Sequence, residues 1–306
     1  MNVIAVCPSK VATGGTESIH KFVNELNKND DIEAVILYAG DPEDPQPIEY
    51  RCYGCDYITR LPEGYDKVII FPEIYADAVM SPQHKNCVKA VNWAGWDVYQ
   101  WNVPKKMRWQ FLNLDGIIHL AQSEYAMENL RELGLDPLKL SDVLHDDFFE
   151  PYKEEERSDV VLYNPAKLTE FGKKVIKASP FDCKPIMDLS RAEVIDLLRH
   201  SKLYIDFGEF SGRERLPREA AMCGCCVLTS TAGAAANAFD VAIPNMYKFN
   251  MDYAKISEVI EAMDSIINYY PMHAPRFELY RDGLRRDRWD FESEVEEIAL
   301  AFLERL

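Results

Sequence analysis

Short apolar runs alternate with stretches of helical periodicity along almost the whole chain, and few folds accept such an alternation. Residues 3–7, 34–38, 67–71, 88–93 and 116–121 are runs of strand length, rich in Val and Ile. Between the first two lies the segment 17–28, where Ile19, Phe22, Val23 and Leu26 recur at the spacing of an amphipathic helix. Residues 125–133 read as another helix, stopped by Gly134. Strands that are apolar throughout and separated by helices belong to βαβ units. A mainly parallel sheet with both faces covered is therefore expected.

The alternation breaks once and restarts. Residues 146–157 are charged, contain Pro151 and show no periodicity, so a domain boundary is expected near residue 150. This gives an N-terminal domain of residues 1–150 and a C-terminal domain of residues 151–306. In the second half, residues 160–163, 184–187, 203–207 and 225–229 read as strands, and 171–178 and 217–223 as helices. Ser190 with Glu193 three residues on is a capping box for a helix running to His200. Three more helices are expected, at 253–269, 278–286 and 291–306. Two consecutive α/β halves define a cleft, and ligands favour clefts between domains.

Composition narrows the partners. Thirty-four basic against 51 acidic residues leave a net charge of −17, which counts against nucleic acid, whose backbone demands clustered Lys and Arg. Small anions remain acceptable, because backbone N–H groups and one or two Arg hold a diphosphate locally. No stretch approaches the roughly 20 apolar residues of a membrane span, and the first residues lack a basic leader, so a cytoplasmic protein is expected. Of the eight cysteines, Cys52-Tyr-Gly-Cys55 is only half a zinc pattern, and reduced thiols without metal are the expectation. His20, His119 and His145 are expected to be packed or hydrogen-bonded, with His145-Asp-Asp147 the best placed for a cleft.

Two segments carry chemistry. Thr13-Gly-Gly-Thr-Glu17 joins the first strand to the first helix, whose N-terminal N–H groups suit a phosphate; a plain βα turn is the competing reading. It is neither a GxGxxG fingerprint nor a P-loop. The second runs Leu203-Tyr-Ile-Asp-Phe-Gly-Glu-Phe-Ser-Gly-Arg-Glu-Arg-Leu-Pro-Arg-Glu219. A loop rich in Gly, Arg and Glu at the carboxyl end of a parallel strand fits an anionic ligand bearing hydroxyls. Pro217 suits the first helical position and Glu219 the first turn. Glu219 then either complements the helix dipole or accepts the two hydroxyls of a ribose. Arg213 and Arg215 either neutralise a diphosphate or are solvated loop residues.

Several of these segments share one resemblance. Gly14-Gly-Thr-Glu17 with the following His-Lys-Phe-Val-Asn-Glu-Leu26 resembles the GGxE loop and first helix of retaining GT-B glycosyltransferases of the group 1 or family 4 type. Ala121-Gln-Ser-Glu124 and its helix resemble that family's Ser-Glu strand end, and Asn164-Pro-Ala-Lys167 stands in the place of its phosphate-binding loop. Pro217-Arg-Glu-Ala-Ala-Met-Cys-Gly-Cys-Cys-Val227 is similar to its Glu-Ala-x-x-x-Gly-x-x-Val hallmark.

The resemblance implies an α/β fold of two Rossmann-like domains facing a central cleft, with the option that the C-terminal helix crosses back to the N-terminal domain. It implies a nucleotide-sugar donor, such as a UDP- or GDP-hexose, held by Glu219 on the ribose and by Asn164, Lys167, Arg213 and Arg215 on the diphosphate side. Gly14 and Gly15 would come from the opposite wall, and backbone N–H groups of Thr231–Asn237 would face the cleft. The family usually carries a second glutamate eight positions before the hallmark one. Ser211 stands there in this chain, and Glu209 and Glu214 are the substitutes. Its usual histidine after a central strand is replaced by Asn92-Trp-Ala-Gly-Trp-Asp97, which makes Asp97 the third catalytic candidate.

The implied activity is hexosyl transfer to a glycan, lipid-linked or small-molecule acceptor, with retention and without metal or cofactor. No Asp-x-Asp pair and no HExxH occurs in the sequence, so Arg, Lys and helix N-termini would do a cation's work. The alternatives are a catalytically inactive sugar-nucleotide-binding subunit, or a GT-B relative with other chemistry (2-epimerisation or glucosylation of DNA bases). Lys105, Lys106, Arg108 and Trp109 in the segment 104–112 offer peripheral membrane contact or simply a solvated helix face, as does the cluster Arg281, Arg285, Arg286 and Arg288. Oligomeric state is left open.

Overall fold

A computed structural model describes residues 1–151 and 157–306; residues 152–156 of the expected linker, and the side chain of Trp109, lie outside the described residues. The chain forms two compact units, Met1–Asp142 together with Trp289–Leu306, and Val143–Arg288.

The first unit runs β1 (Asn2–Pro8), α1 (Gly14–Leu26), β2 (Glu33–Ala39), β3 (Tyr57–Ile58), β4 (Val68–Pro72), α2 (Ala76–Val79), β5 (Val88–Trp93), α3 (Trp96–Asn102), α4 (Lys105–Leu112), β6 (Ile117–Ala121), α5 (Glu124–Glu132) and β7 (Leu138–Lys139). Every strand pair is parallel, in the order β3-β2-β1-β4-β5-β6-β7. The order reverses between β1 and β4, the switch point beside which Rossmann sheets bind ligands. Ile4, Val6, Ile69, Phe71, Val91 and Trp93 pack into one core with Tyr99, Phe111 and Leu130 from the helices. Burying a strand on both faces is what makes its sequence a continuous apolar run. Thr13 caps α1 through a box with Thr16, and Ser123 caps α5.

The second unit runs β8 (Ser158–Tyr163), α6 (Glu170–Ala178), β9 (Cys183–Pro185), α7 (Arg191–Arg199), β10 (Ser201–Asp206), α8 (Arg215–Met222), β11 (Cys226–Ser230), β12 (Lys248–Phe249), α9 (Ile256–Asn268), α10 (Tyr270–His273) and the first part of α11 (Glu278–Leu303). Its sheet is also parallel, in the order β12-β11-β10-β8-β9, with the switch point between β8 and β10. The capping box of Ser190 and Glu193 opens α7 as expected.

Two local expectations need correction. The helices expected at 278–286 and 291–306 are one, α11, whose residues through Arg288 belong to the second unit and from Trp289 to the first. The intervening Asp287-Arg-Trp-Asp290 interrupts the apolar pattern but contains no Gly or Pro, so the backbone has no reason to stop. In the first unit the Glu294 carboxylate on α11 accepts hydrogen bonds from Ser141 N (2.6 Å) and Ser141 Oγ (3.0 Å), with Lys139 Nζ at 3.2 Å. Helix α8, in turn, starts at Arg215, which makes Pro217 its third residue and puts Glu219 in the second turn. Proline is tolerated there because the first four N–H groups have no intrahelical acceptor. Glu219 thus lies beyond the first turn, where a carboxylate would complement the dipole.

Candidate functional site

At the second unit's switch point, the carboxyl ends of β8 and β10 bring together residues that are far apart in sequence. Beyond β8, Asn164 Oδ1 accepts from Ala166 N at 3.0 Å and fixes a short turn that presents Lys167. The Lys167 ammonium forms an ion pair with Glu214, the residue before α8. Strand β10 ends at Asp206, which is 5% exposed; Tyr204 OH donates to its Oδ2 (2.8 Å) and Gly208 N to its Oδ1 (3.0 Å). Burial pushes the Asp206 carboxyl up to about 6, a rise that Glu214 adds to and Lys167 opposes. The buried Tyr204 phenol is pushed well up, first by burial and then by Asp206, Glu214 and Glu219. One phenol therefore feels three carboxylates, and Lys167 pairs with one of them.

Backbone packing shapes the same place. A Cβ at Gly208 would lie 3.0 Å from both Lys167 O and Asp206 Oδ1. Gly233, at φ +49°, presses against the Phe210 carbonyl, and Ala234 N donates to that oxygen at 2.8 Å. Buried Arg218 holds the loop from the other side, its Nε on Glu214 O (3.0 Å) and a terminal nitrogen on Arg213 O (2.8 Å). Of the residues expected here, Lys167, Glu214 and Glu219 are grouped; Glu219 is half-buried and Asn164 shapes the turn. Glu209 is exposed, and Arg215 is half-buried at the first position of α8. Arg213 is bound to Asp287 of α11 at 2.7 Å, so its charge is matched within the protein.

In the first unit, the loop after β1 is held from below. Tyr50 OH donates to Thr13 O (2.8 Å) and lies 2.9 Å from Thr16 Oγ1. Gly14 and Gly15 are half-buried, and a Cβ on Gly15 would meet only Ala94 Cβ at 3.6 Å, so the fold itself does not demand glycine there. Ser18 Oγ donates to Gly15 O (2.8 Å) and accepts from Gln122 Nε2 (2.8 Å), which also reaches Asn92 Oδ1 at 3.3 Å. Glu73 directly follows β4 and is 3% exposed; its Oε1 accepts Gly95 N at 2.9 Å, and burial lifts its carboxyl to about 7. Half-buried Asp97 accepts from Tyr125 OH at 3.3 Å.

Most of the remaining candidates have partners within the fold. His119 Nδ1 accepts from Trp93 Nε1 (3.0 Å) and burial lowers it to about 4, so it is neutral. His20 sits between Thr16 O and Tyr38 OH, each at 2.7 Å, and His145 pairs with Asp147 at 3.1 Å. Arg108 turns inward to Val103 O and Gln100, leaving Lys105 and Lys106 exposed. Arg281, Arg285 and Arg288 pair with Glu278, Glu278 with Asp282, and Asp146 respectively. All eight cysteines are free thiols, and among the described residues no three His, Cys, Asp or Glu converge as metal ligands. No described helix is long and apolar enough to cross a membrane.

Asp206 and Glu73 make stability depend on pH. Each holds its proton more tightly folded than unfolded. The stabilisation is therefore complete below about pH 4 and is lost as pH climbs through about 6 for Asp206 and about 7 for Glu73. Each pH unit of displacement is worth about 1.4 kcal/mol. Urea denaturation at pH 5 and pH 8 should show the wild type losing more stability than an Asp206→Asn, Glu73→Gln double variant. Equal losses would refute the assignment.

Glu73, Tyr204, Asp206, Gln122 and Arg218 were not singled out by sequence. The one available signal was position: Glu73 and Asp206 both stand at the carboxyl end of an apolar run.

Solved structures share this fold across the whole chain. A glycosyltransferase from Rickettsia africae superposes with a TM-score of 0.69 at 14% identity, covering 99% of this chain and 98% of that one. Sucrose-phosphate synthase from Thermosynechococcus elongatus gives 0.70 at 11% identity, covering 99% and 98%. Anabaena HepE, solved with UDP and glucose, gives 0.69 at 11% identity over all of both chains. The fold is that of the GT-B glycosyltransferases. No protein-family model matches the sequence, and no curated protein matches it. At these identities the likeness is one of architecture.

Proposed function

We propose that the protein is a glycosyltransferase that moves a hexosyl group from a UDP- or GDP-linked donor to a glycan, lipid-linked or small-molecule acceptor, with retention and without metal. The observation that carries this reading is the grouping of Lys167, Glu214 and Glu219 around Tyr204 and Asp206 at a sheet switch point. Lys167 is assigned to the diphosphate, for which it must exchange its present partner Glu214. Glu219 is assigned to the ribose hydroxyls. Arg213 leaves the donor set, because its ion pair with Asp287 is nearly buried, whereas the paired Lys167 ammonium is exposed. The backbone N–H groups of the Gly14–Gly15 turn are assigned to the donor, and Asp97 beside Tyr125 is assigned a catalytic part toward the acceptor. Two relationships support the donor class: the GT-B fold, and the UDP and UDP-glucose complexes of Anabaena HepE. Positioning both substrates and stabilising the departing diphosphate with lysine and backbone N–H groups would supply the catalysis.

The test is release of nucleotide from UDP-glucose and GDP-mannose in water, with and without EDTA. Slow release at an EDTA-independent rate is expected. Release abolished by EDTA and restored by Mn²⁺ would overturn metal independence, and the anomer formed with an active acceptor, read by NMR, decides retention. A second reading is favoured by buried Ser211 in the place of the family's first glutamate and by exposed Glu209: an inactive sugar-nucleotide-binding subunit. It predicts donor binding without release across an acceptor panel.

A further inference from the structure

The first unit contains a buried carboxylate to which the transfer reaction assigns no work. Glu73 is 3% exposed at the β1–β4 switch point, in step with the end of β5, because Pro72 pairs with Asn92. Its carboxylate accepts the backbone N–H of Gly95 at 2.9 Å, and the neighbouring N–H of Ala94 also favours its ionised form; these two residues turn the chain from β5 into α3. This turn faces the Gly14–Gly15 loop, as the Gly15–Ala94 approach shows. It also carries Asp97 two residues later. Few substitutes could do this job above about pH 7, where Glu73 is ionised: a carboxylate can accept more than one N–H bond, and bonds to a charged acceptor are about twice as strong as neutral ones. Burying a carboxyl is costly, and packing alone would be served as well by an apolar side chain.

We propose that Glu73 is a positioning residue of the transfer reaction: its carboxylate clamps the Ala94–Gly95 turn against the Gly14–Gly15 loop and so sets the place of Asp97 for the acceptor. This assignment rests on the transferase reading given above. It acts through the turn, and Glu73 itself touches no substrate.

The test compares full-length wild type with Glu73→Gln, which keeps an acceptor without charge, and Glu73→Met, which keeps the volume without an acceptor. The reaction followed is UDP release from UDP-glucose at pH 8 with water as the acceptor, and UDP affinity is measured separately by calorimetry. Misplacement of a reacting group by an ångström costs on the order of a hundredfold in rate. The expectation is that kcat falls roughly tenfold in Glu73→Gln and about a hundredfold in Glu73→Met. Donor KM and UDP affinity should stay within about twofold. Equal kcat in all three folded proteins, or equal loss in both variants, would overturn the proposal, since a packing role does not distinguish Met from Gln. Amide exchange gives a readout that needs no turnover: Gly95 N–H should exchange at least about tenfold faster in Glu73→Met than in wild type. Unchanged Gly95 protection would refute the clamp directly. A wild type that binds and cleaves no nucleotide sugar, with Gly95 behaving as expected, would bring down the transferase reading, and with it Glu73's part in the reaction, while the clamp itself stood.

Discussion

Glu219→Ala is expected to weaken UDP binding by roughly a hundredfold while the chain stays folded. A carboxylate accepting two hydroxyls makes two charge-assisted hydrogen bonds, and losing them costs about 3 kcal/mol, two orders of magnitude in Kd. The fold should survive, because Glu219 lies in the second turn of α8, half-buried, and alanine favours a helix more than glutamate does. Calorimetric titration of UDP into wild type, Glu219→Gln and Glu219→Ala decides the matter, the amide falling between. An unaltered Kd in the folded alanine variant would place the nucleotide elsewhere.

The largest loss of stability is expected at Gly233. Its φ of +49° is left-handed, and an added Cβ would stand 2.0 Å from Phe210 O and 2.9 Å from the carbonyl carbon. Neither neighbour is the loose end of a side chain. Gly233→Ala must therefore push the 231–235 turn off the loop that carries Glu209 and Glu214 and break the Ala234 N to Phe210 O bond. Left-handed strain, a lost buried hydrogen bond and backbone displacement together are worth about 3 kcal/mol or more. Denaturant titration of the variant measures it, and a midpoint equal to wild type would mean the turn yields without cost. Gly15→Ala is the control: its Cβ meets only ordinary contact at 3.6 Å, so stability should hold there.

The contrast between these two glycines shows which parts of the molecule the sequence could reveal. Strands such as β1, β4 and β5 were legible because both faces are buried, which leaves a continuous apolar run. The edge strands β3, β7 and β12 have two residues each, too few for any period to register. Helix α11 reads as two because Asp287-Arg-Trp-Asp290 interrupts its apolar pattern, although Asp287 and Arg288 pair with Arg213 and Asp146 in the folded chain. In the candidate site, Lys167 and Glu219 were visible through motifs local in sequence. Glu73 and Asp206 were not, because a carboxylate after a strand reads as a turn residue until its burial is known. Arg213 is the opposite case. It looks like a phosphate ligand until Asp287, distant along the chain, comes to meet it.

The ladder from Ser141 and Lys139 to Glu294 has a consequence for biosynthesis. Residues 289–306, which bring Phe291, Val295, Ile298 and Phe302 into the first unit, leave the ribosome only after all of the second. The nascent first unit must therefore wait without these four buried apolar side chains while 146 intervening residues are translated. That interval is when a chaperone would have most to hold.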